Sequence, residues 1–291
     1  MRSLPLPDRS KVREHLVQAL EVFNWAGEQK GYPVTEQELD EVLELYDLYD
    51  AAGGVPNEDL KGDSLEDALS QAIKDGYRFT QQRGKLSGIR TDLFKGVSHC
   101  PICGISPPRD LDHYLPESIF RPLAIYVWNL VPYCHDCNHS KGAHDQSEEE
   151  KRFFHPYFDV LPEFQFVRAS VALDNSALLV DFYIDPWCGL DDALYARLSY
   201  QFKRLKLGDR FRAELNSYLT GHTTALVWAF EAQAETGVKS FLQHQANVER
   251  GAFHPNHWRP VLLSALSDHD EFCLGGFKNV LPVAYLTGLK A

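Results

Sequence analysis

Two pairs of cysteines have the spacing at which two thiolates can bind one metal ion. Cys100 and Cys103 form the first pair, and Cys134 and Cys137 form the second pair after thirty intervening residues. Four soft sulfur ligands in a tetrahedron suit Zn²⁺, and such closed sites are structural rather than catalytic. Two matching pairs in a chain of only six cysteines are hard to attribute to coincidence. The sequence therefore predicts a structural zinc site formed by these four side chains.

Polar residues of other types lie between and beside the cysteine pairs. Asp112 and His113 are adjacent in the segment LDHYLP, Asn129 precedes the second pair, and Asn138 and Lys141 follow it. Taken singly, such residues are more often turn, cap or surface residues. Together in one zinc-bound insert, they can serve chemistry: carboxylate and amide oxygens suit a hard cation. A histidine, with an ordinary pKa of about 6.5, can accept a proton at neutral pH.

The segments LDHYLP and NLVPYCHDCNHSKG, with the two cysteine pairs, resemble the HNH endonuclease family and its ββα-metal fold. The resemblance covers roughly residues 98–145, where histidine, asparagine, asparagine and both cysteine pairs follow in family order. An asparagine stands at the last position, where the family name has a histidine. The longer run through HPYFD is similar to bacterial HNH proteins of mobile-element or phage-defence settings.

The resemblance implies a hydrolase that nicks DNA and leaves 5′-phosphate and 3′-hydroxyl ends. Asp112 and Asn138 would bind a catalytic Mg²⁺ or Mn²⁺, and His113 would be the general base. Asn129 would brace the loop that orients His113. Lys141, placed by the sequence in the first turn of a helix, could contact a substrate phosphate.

The elements that must position these residues follow from hydrophobic spacing and turn signals. Residues 1–95 are predicted to be helical, with Thr35 and Glu38 as a capping box for the second helix. The first helix is expected to carry on one face Val12, Leu16, Leu20 and Phe23. Residues 96–160 would form the HNH nuclease module with the zinc knuckles.

Residues 161–291 are predicted to hold a β-hairpin over 164–185, with its turn at residues 174–176, followed by helices. The predicted fold class is therefore α+β and mostly α-helical. A central ββα-metal HNH module with a four-cysteine zinc site would be flanked by helical N- and C-terminal regions with one β-hairpin.

Composition and charge limit the possible partners. Hydrophobic residues make up 44% and charged residues 24%, as in ordinary soluble proteins, and no long apolar run or signal peptide is visible. The sequence predicts a cytoplasmic protein without a membrane span, in which disulfides are not expected. A net charge of −12 argues against coating DNA broadly but allows a local positive patch. Candidates for phosphate contacts, or for a solvated linker, are Arg78, Arg83, Lys85, Arg90 and Lys95.

Two other functions stay open at this point. A non-catalytic zinc module for binding DNA or protein would make Asp112 and His113 dispensable. A regulated effector would cut DNA only with an ATPase or sensor partner, as the acidic charge and the large helical flanks suggest. The sequence leaves the oligomeric state and any DNA sequence preference undetermined.

Overall fold

The computed structural model describes residues 1–144 and 146–282 of the chain. They form two compact units: Arg2–Leu161, and the described part of Pro162–Ala291 together with Met1. Apart from Met1, both the predicted helical region 1–95 and the predicted module 96–160 lie in the first unit. Asp145 of the module and residues 283–291 of the predicted C-terminal region lie outside the described residues.

Helices dominate the described residues, and the strands pair in twos. The helices are α1 (Val12–Leu20), α2 (Glu36–Ala51), α3 (Asp67–Gly76), α4 (Ser87–Phe94), α5 (His135–Lys141), α6 (Asp192–Arg204), α7 (Leu207–Thr220), α8 (Thr223–Ala252, kinked at residues 233–234), α9 (Trp258–Ser267) and α10 (Phe277–Val280). The strands are β1 (Phe23–Trp25), β2 (Glu28–Lys30), β3 (Asp110–His113), β4 (Leu130–Tyr133), β5 (Val167–Asp174) and β6 (Ala177–Ile184). The expected α+β mixture is confirmed. None of the helices described is long and apolar enough to cross a membrane.

The N-terminal region follows its local sequence signals in one place and departs from them in another. At the start of α2, the Glu38 backbone N–H donates to Thr35 Oγ1 at 3.2 Å, and the predicted capping box is confirmed. Helix α1, however, ends at Leu20, and Phe23 lies in β1 rather than on the α1 face. Ala26 and Gly27 both have positive φ, the conformation of a tight two-residue hairpin turn. The chain therefore adds a hairpin, β1–β2, that the sequence did not predict.

The hairpin predicted over residues 164–185 is confirmed as β5–β6. The two strands pair antiparallel along their whole length, ending with Asp174 opposite Ala177. Asn175 in the turn has φ +54°, a left-handed conformation that asparagine tolerates better than most residues. Alternate residues of β6 are buried, including Val180, Phe182 and Ile184, so one face of this hairpin packs into the second unit.

Helix α2 packs directly on the segment between the two cysteine pairs. The Tyr46 ring stacks on Tyr126 with ring centroids 4.1 Å apart, and the Tyr46 hydroxyl donates to the Pro122 carbonyl at 3.0 Å. The Tyr49 hydroxyl lies 2.9 Å from His155 Nε2. Both tyrosines of α2 are fully buried, and each phenol has a polar partner, as a buried phenol needs. The N-terminal helices and the cysteine-bearing segment therefore share one core.

Candidate metal centre and polar cavity

The four paired cysteines meet in a single cluster. Their Sγ atoms all lie within 4.8 Å of one another, and all four side chains are buried. Cys103 Sγ is 3.6 Å from Cys134 Sγ. Thiolates at the corners of a tetrahedron around Zn²⁺ would be about 3.8 Å apart, since each Zn–S bond is about 2.3 Å. The predicted clustering is confirmed, and the donor set fits a metal such as zinc.

The thiols influence one another's ionisation. The hydrogen bond with Cys100 lowers the pKa of Cys134 to about 6, whereas burial raises the pKa of Cys100. The hydrogen bond with Cys100 also raises the pKa of Cys137. Four buried thiolates this close would repel one another, so complete ionisation requires a cation among them. The arrangement is therefore better suited to a bound metal than to four free thiols.

Strands β3 and β4 and helix α5 bring the other candidate residues together. In the antiparallel β3–β4 pair, His113 lies opposite Leu130, and α5 begins at His135, two residues after the end of β4. One cavity of about 360 Å³ is lined in part by Asp112, His113, Asn138 and Lys141. Four candidate residues that span thirty positions of sequence thus share one opening.

The contacts of His113 fix its tautomer. The side chain is buried, and its Nε2 lies 2.8 Å from the carbonyl oxygen of Ala124. A carbonyl can only accept, so Nε2 carries the proton and the lone pair of the neutral ring is on Nδ1. Nδ1 lies 3.5 Å from Asp112 Oδ1. His113 therefore has a proton-accepting nitrogen beside a carboxylate.

Asp112 and Lys141 form an ion pair at the cavity, with Lys141 Nζ 3.4 Å from Asp112 Oδ2. Burial by itself would raise the pKa of Asp112, but the contact with the His113 side chain and the charge of Lys141 outweigh it and lower that pKa. Burial lowers the pKa of Lys141, and Asp112 opposes that shift. The carboxylate is therefore ionised at neutral pH.

The predicted position of Lys141 in the first turn of a helix is wrong. Helix α5 begins at His135 and ends at Lys141, whose side chain is only 2% exposed. A buried ammonium needs an opposite charge, and Asp112 supplies it. The phosphate contact expected for Lys141 stays a prediction, and in this structure its Nζ contacts the carboxylate.

Asn138 is oriented by Asp110, a residue that was not predicted from the sequence. Asn138 Nδ2 donates to Asp110 Oδ2 at 3.2 Å, and His135 Nδ1 is 3.3 Å from the same oxygen. Because the amide nitrogen faces Asp110, the amide oxygen is left to accept a proton donor or bind a cation. A signal for Asp110 was available, because residues two apart on a strand share a face, here with Asp112.

Asn129 is fully buried and ties two loop segments to the start of β4. Its Oδ1 accepts from the Leu115 N–H at 2.8 Å, and its Nδ2 donates to the carbonyls of Leu115 and Leu123 at 3.1 and 3.2 Å. Leu115 follows His113 by two residues, and Leu123 precedes Ala124, the partner of His113 Nε2. Asn129 therefore holds the backbone segments that lie next to the His113 ring. Its effect on the orientation of His113 stays a prediction.

Substitution of Asn129 by alanine is expected to lower the stability of the first unit. The change removes the partner of the Leu115 N–H and of the Leu115 carbonyl, at a cost of about 1–3 kcal/mol for each group that stays buried without a partner. The Leu123 carbonyl keeps the Tyr126 N–H as a donor at 3.1 Å. Urea unfolding of the full chain should show a lower midpoint than for Asn24→Ala, which alters an exposed asparagine in β1. Equal midpoints for the two variants would contradict the bracing role.

Glu117 is a second residue that sequence reasoning missed. Its Oε2 lies 3.7 Å from His113 Nε2 and has no hydrogen-bond partner among the described residues. Glu117 lies beyond the end of β3, in a loop whose path strand periodicity does not reveal. Glu117 therefore adds a second carboxylate beside the imidazole of His113.

Comparisons with known proteins identify a distant phage relative. The chain is similar to Protein ea31 of Escherichia phage lambda, with 27% identity over 197 residues, 63% of this chain and 66% of that protein. The chain thus spans just under two thirds of that relative's length. No protein-family model matches the chain, and no solved structure matches it significantly. Inference about function therefore rests on the site.

Proposed function

We propose that the protein is a metal-dependent endonuclease of the HNH type, which hydrolyses DNA phosphodiester bonds to 5′-phosphate and 3′-hydroxyl ends. One observation carries the proposal: Asp112, His113 and Asn138 line the same cavity. The order β3, β4, α5 is also the order that the resemblance implies, and the cysteine cluster ties its parts together.

The oxygen donors fit a hard divalent ion. Asp112 is ionised at neutral pH, and Asn138 has its amide oxygen available because its nitrogen donates to Asp110. Carboxylate and amide oxygens, completed by water, are the ligands that Mg²⁺ and Mn²⁺ prefer. When bound, such an ion supplies neutralisation of the charge that develops on the phosphate and the departing oxygen.

His113 performs the proton transfer. Its Nδ1 takes a proton from water as the water oxygen forms a bond to phosphorus, and the bond from phosphorus to the 3′-oxygen breaks. The departing 3′-oxygen receives a proton from solvent. The Ala124 carbonyl keeps Nε2 protonated, and the carboxylates of Asp112 and Glu117 stabilise the imidazolium that forms. Lys141 positions Asp112 and limits its repulsion of the phosphate.

A plasmid-nicking assay tests the proposal through Asp112. Supercoiled plasmid should become relaxed with the wild type only when Mg²⁺ or Mn²⁺ is present. Asp112→Asn keeps the shape of the side chain but removes the ionic ligand. The Mg²⁺ concentration that gives the half-maximal rate should rise at least about 10–100-fold. Losing only a hydrogen-bond partner of a metal ligand already weakens metal binding by that factor, and here the ligand itself is changed.

Asp63→Asn is the matched control, because Asp63 is an exposed carboxylate of the same unit. It should leave the Mg²⁺ dependence unchanged. Nicking by Asp112→Asn that equals the wild type at every Mg²⁺ concentration would contradict the assignment of the ion.

A non-catalytic zinc module is the competing function. The observation that favours it is the internal pairing of the polar groups: His113 is 2% exposed, and Asp112 is paired with Lys141. Under this alternative, the wild type binds DNA or a protein without nicking, and Asp112→Asn binds equally well. The same assay, run beside a binding measurement, separates the two functions.

The setting of the enzyme is a further part of the proposal. Similarity to a phage lambda protein supports the expected mobile-element setting, and the role in phage defence is proposed from the sequence resemblance alone. Control by an ATPase or sensor partner would appear as a faster nicking rate when the products of neighbouring genes are added. An unchanged rate would oppose such control.

A further inference from the structure

A larger cavity opens beside the one that contains His113. It has a volume of about 770 Å³, and Tyr77, Asn138 and Gly142 line both cavities. Gly142 ends α5 with φ +56°, so the backbone turns there without a side chain. Because three residues are common to both walls, the two cavities are neighbours in the first unit. The larger cavity, which contains Arg90 and Arg109, is called the arginine groove.

The arginine groove is polar and locally positive. Apart from the shared residues, its polar wall includes Arg90, Arg109, Gln81, Gln82, His135 and His139. Asp110 is the one carboxylate among the described residues of this wall, and it contacts His135 and Asn138. The groove wall therefore has two permanent positive charges and one carboxylate, which already contacts other residues of the wall. This local positive excess contrasts with the net charge of −12 for the whole chain. Clustered arginine side chains, together with amide N–H donors, are groups that bind phosphate in proteins.

Arg90 is held in place before any ligand binds. Its guanidinium donates to the Arg109 carbonyl and, at 3.3 Å, to Gln81 Oε1, and it lies 4.4 Å above the Phe94 ring. A guanidinium has five N–H donors, so these two hydrogen bonds leave others for a ligand. Fixing the side chain in advance lowers the entropy cost of binding.

Arg109 is exposed and available. Its backbone N–H donates to the Tyr133 carbonyl at 2.8 Å, which anchors the residue at the end of the β3–β4 pair. Among the described residues, its guanidinium has no hydrogen bond or ion pair. An unpaired arginine in a groove that leads to the proposed active site can bind a phosphate through two parallel N–H donors.

We infer that the arginine groove binds the DNA backbone beside the bond to be cut, with Arg90 and Arg109 as ligands of neighbouring phosphates. The inference rests on the proposed endonuclease function. In this arrangement, the DNA strand runs from the active site past Tyr77 and Gly142 towards α4. Of the five basic residues named from the sequence, only Arg90 lines this groove, and Lys85 pairs instead with Glu21 at 3.2 Å. The N-terminal helical region thereby contributes directly to substrate binding.

DNA binding without cleavage tests the inference. In a His113→Ala background, the affinity for a short fluorescein-labelled duplex is measured by anisotropy over a range of salt concentrations. Arg90→Ala and Arg109→Ala should each weaken binding about tenfold, whatever the DNA sequence. Each should also reduce the slope of log K against log salt by about 0.9, the value for one phosphate contact on duplex DNA.

Lys11→Ala is the matched control, because Lys11 is an exposed cation directly before α1 and outside the groove wall. Affinity and slope that change equally for Lys11→Ala and the arginine variants would overturn the inference. Stronger competition by an RNA duplex of the same sequence would overturn the assignment of DNA. A wild type that never nicks, yet binds DNA through both arginines, would refute the nuclease proposal while keeping the groove as a DNA-binding site.

Discussion

Replacing His113 with alanine is expected to slow plasmid nicking about 10²–10⁴-fold, the usual loss when a general base is removed. The reason is the tautomer fixed by Ala124, which leaves Nδ1 as the proton acceptor beside Asp112. Substrate binding should change little, because the phosphate contacts are assigned to other residues. Added imidazole should restore part of the rate, since it can replace the missing base in the space that the substitution creates.

The comparison variant is His244→Ala, which alters an exposed histidine of α8. It should nick like the wild type. Zinc content and circular dichroism are measured for both variants, because His113 is buried and its loss could disturb packing. A folded, zinc-loaded His113→Ala protein that nicks at the wild-type rate would refute the proposed mechanism.

Replacing Cys134 with serine is expected to release the metal and unfold the first unit at ordinary temperature. In zinc-finger peptides, metal binding contributes about 10–16 kcal/mol of apparent free energy, which is as large as the typical stability of a whole domain. Cys134 directly follows β4 and precedes α5, so loss of this ligand separates the elements that carry His113 and Asn138. Nicking should be lost at every Mg²⁺ concentration.

Zinc analysis of the purified protein and a thermal unfolding scan measure the effect. Cys188→Ser is the control, because Cys188 lies outside the cluster and is only partly buried. It should retain zinc, melting temperature and nicking. A Cys134→Ser protein that keeps both its zinc and its melting temperature would contradict a structural zinc site at the cluster.

The sequence predicted the parts of the site that depend on local spacing. Two Cys-x-x-Cys pairs place two thiols each at a turn, and their meeting in one cluster requires only that the insert close on itself. The turn of the β5–β6 hairpin and the capping box of α2 also involve residues within three positions of each other. Such features follow from the sequence because few intervening dihedral angles separate the interacting atoms.

Local spacing was insufficient where a long side chain or a loop decides the contact. Lys141 was expected at a helix start facing substrate, yet it closes α5 and pairs with Asp112, twenty-nine positions earlier. Glu117 reaches His113 through a loop, and Arg90 meets Arg109 only because α4 packs against β4 of the β3–β4 pair. Each of these contacts joins elements whose relative placement depends on the packing of the whole unit.

By itself, the sequence determined the four-cysteine metal-binding set and the residue types of the proposed hydrolytic site, because both depend on short motifs. Only the tertiary structure decided which nitrogen of His113 can accept a proton, which atom of Asn138 is left for an ion, and which arginines share a groove. Those properties depend on the Ala124 carbonyl, the Asp110 carboxylate and the position of α4. The positions of these two groups and of α4 relative to the site are set by strand pairing and core packing, which no single segment of sequence encodes.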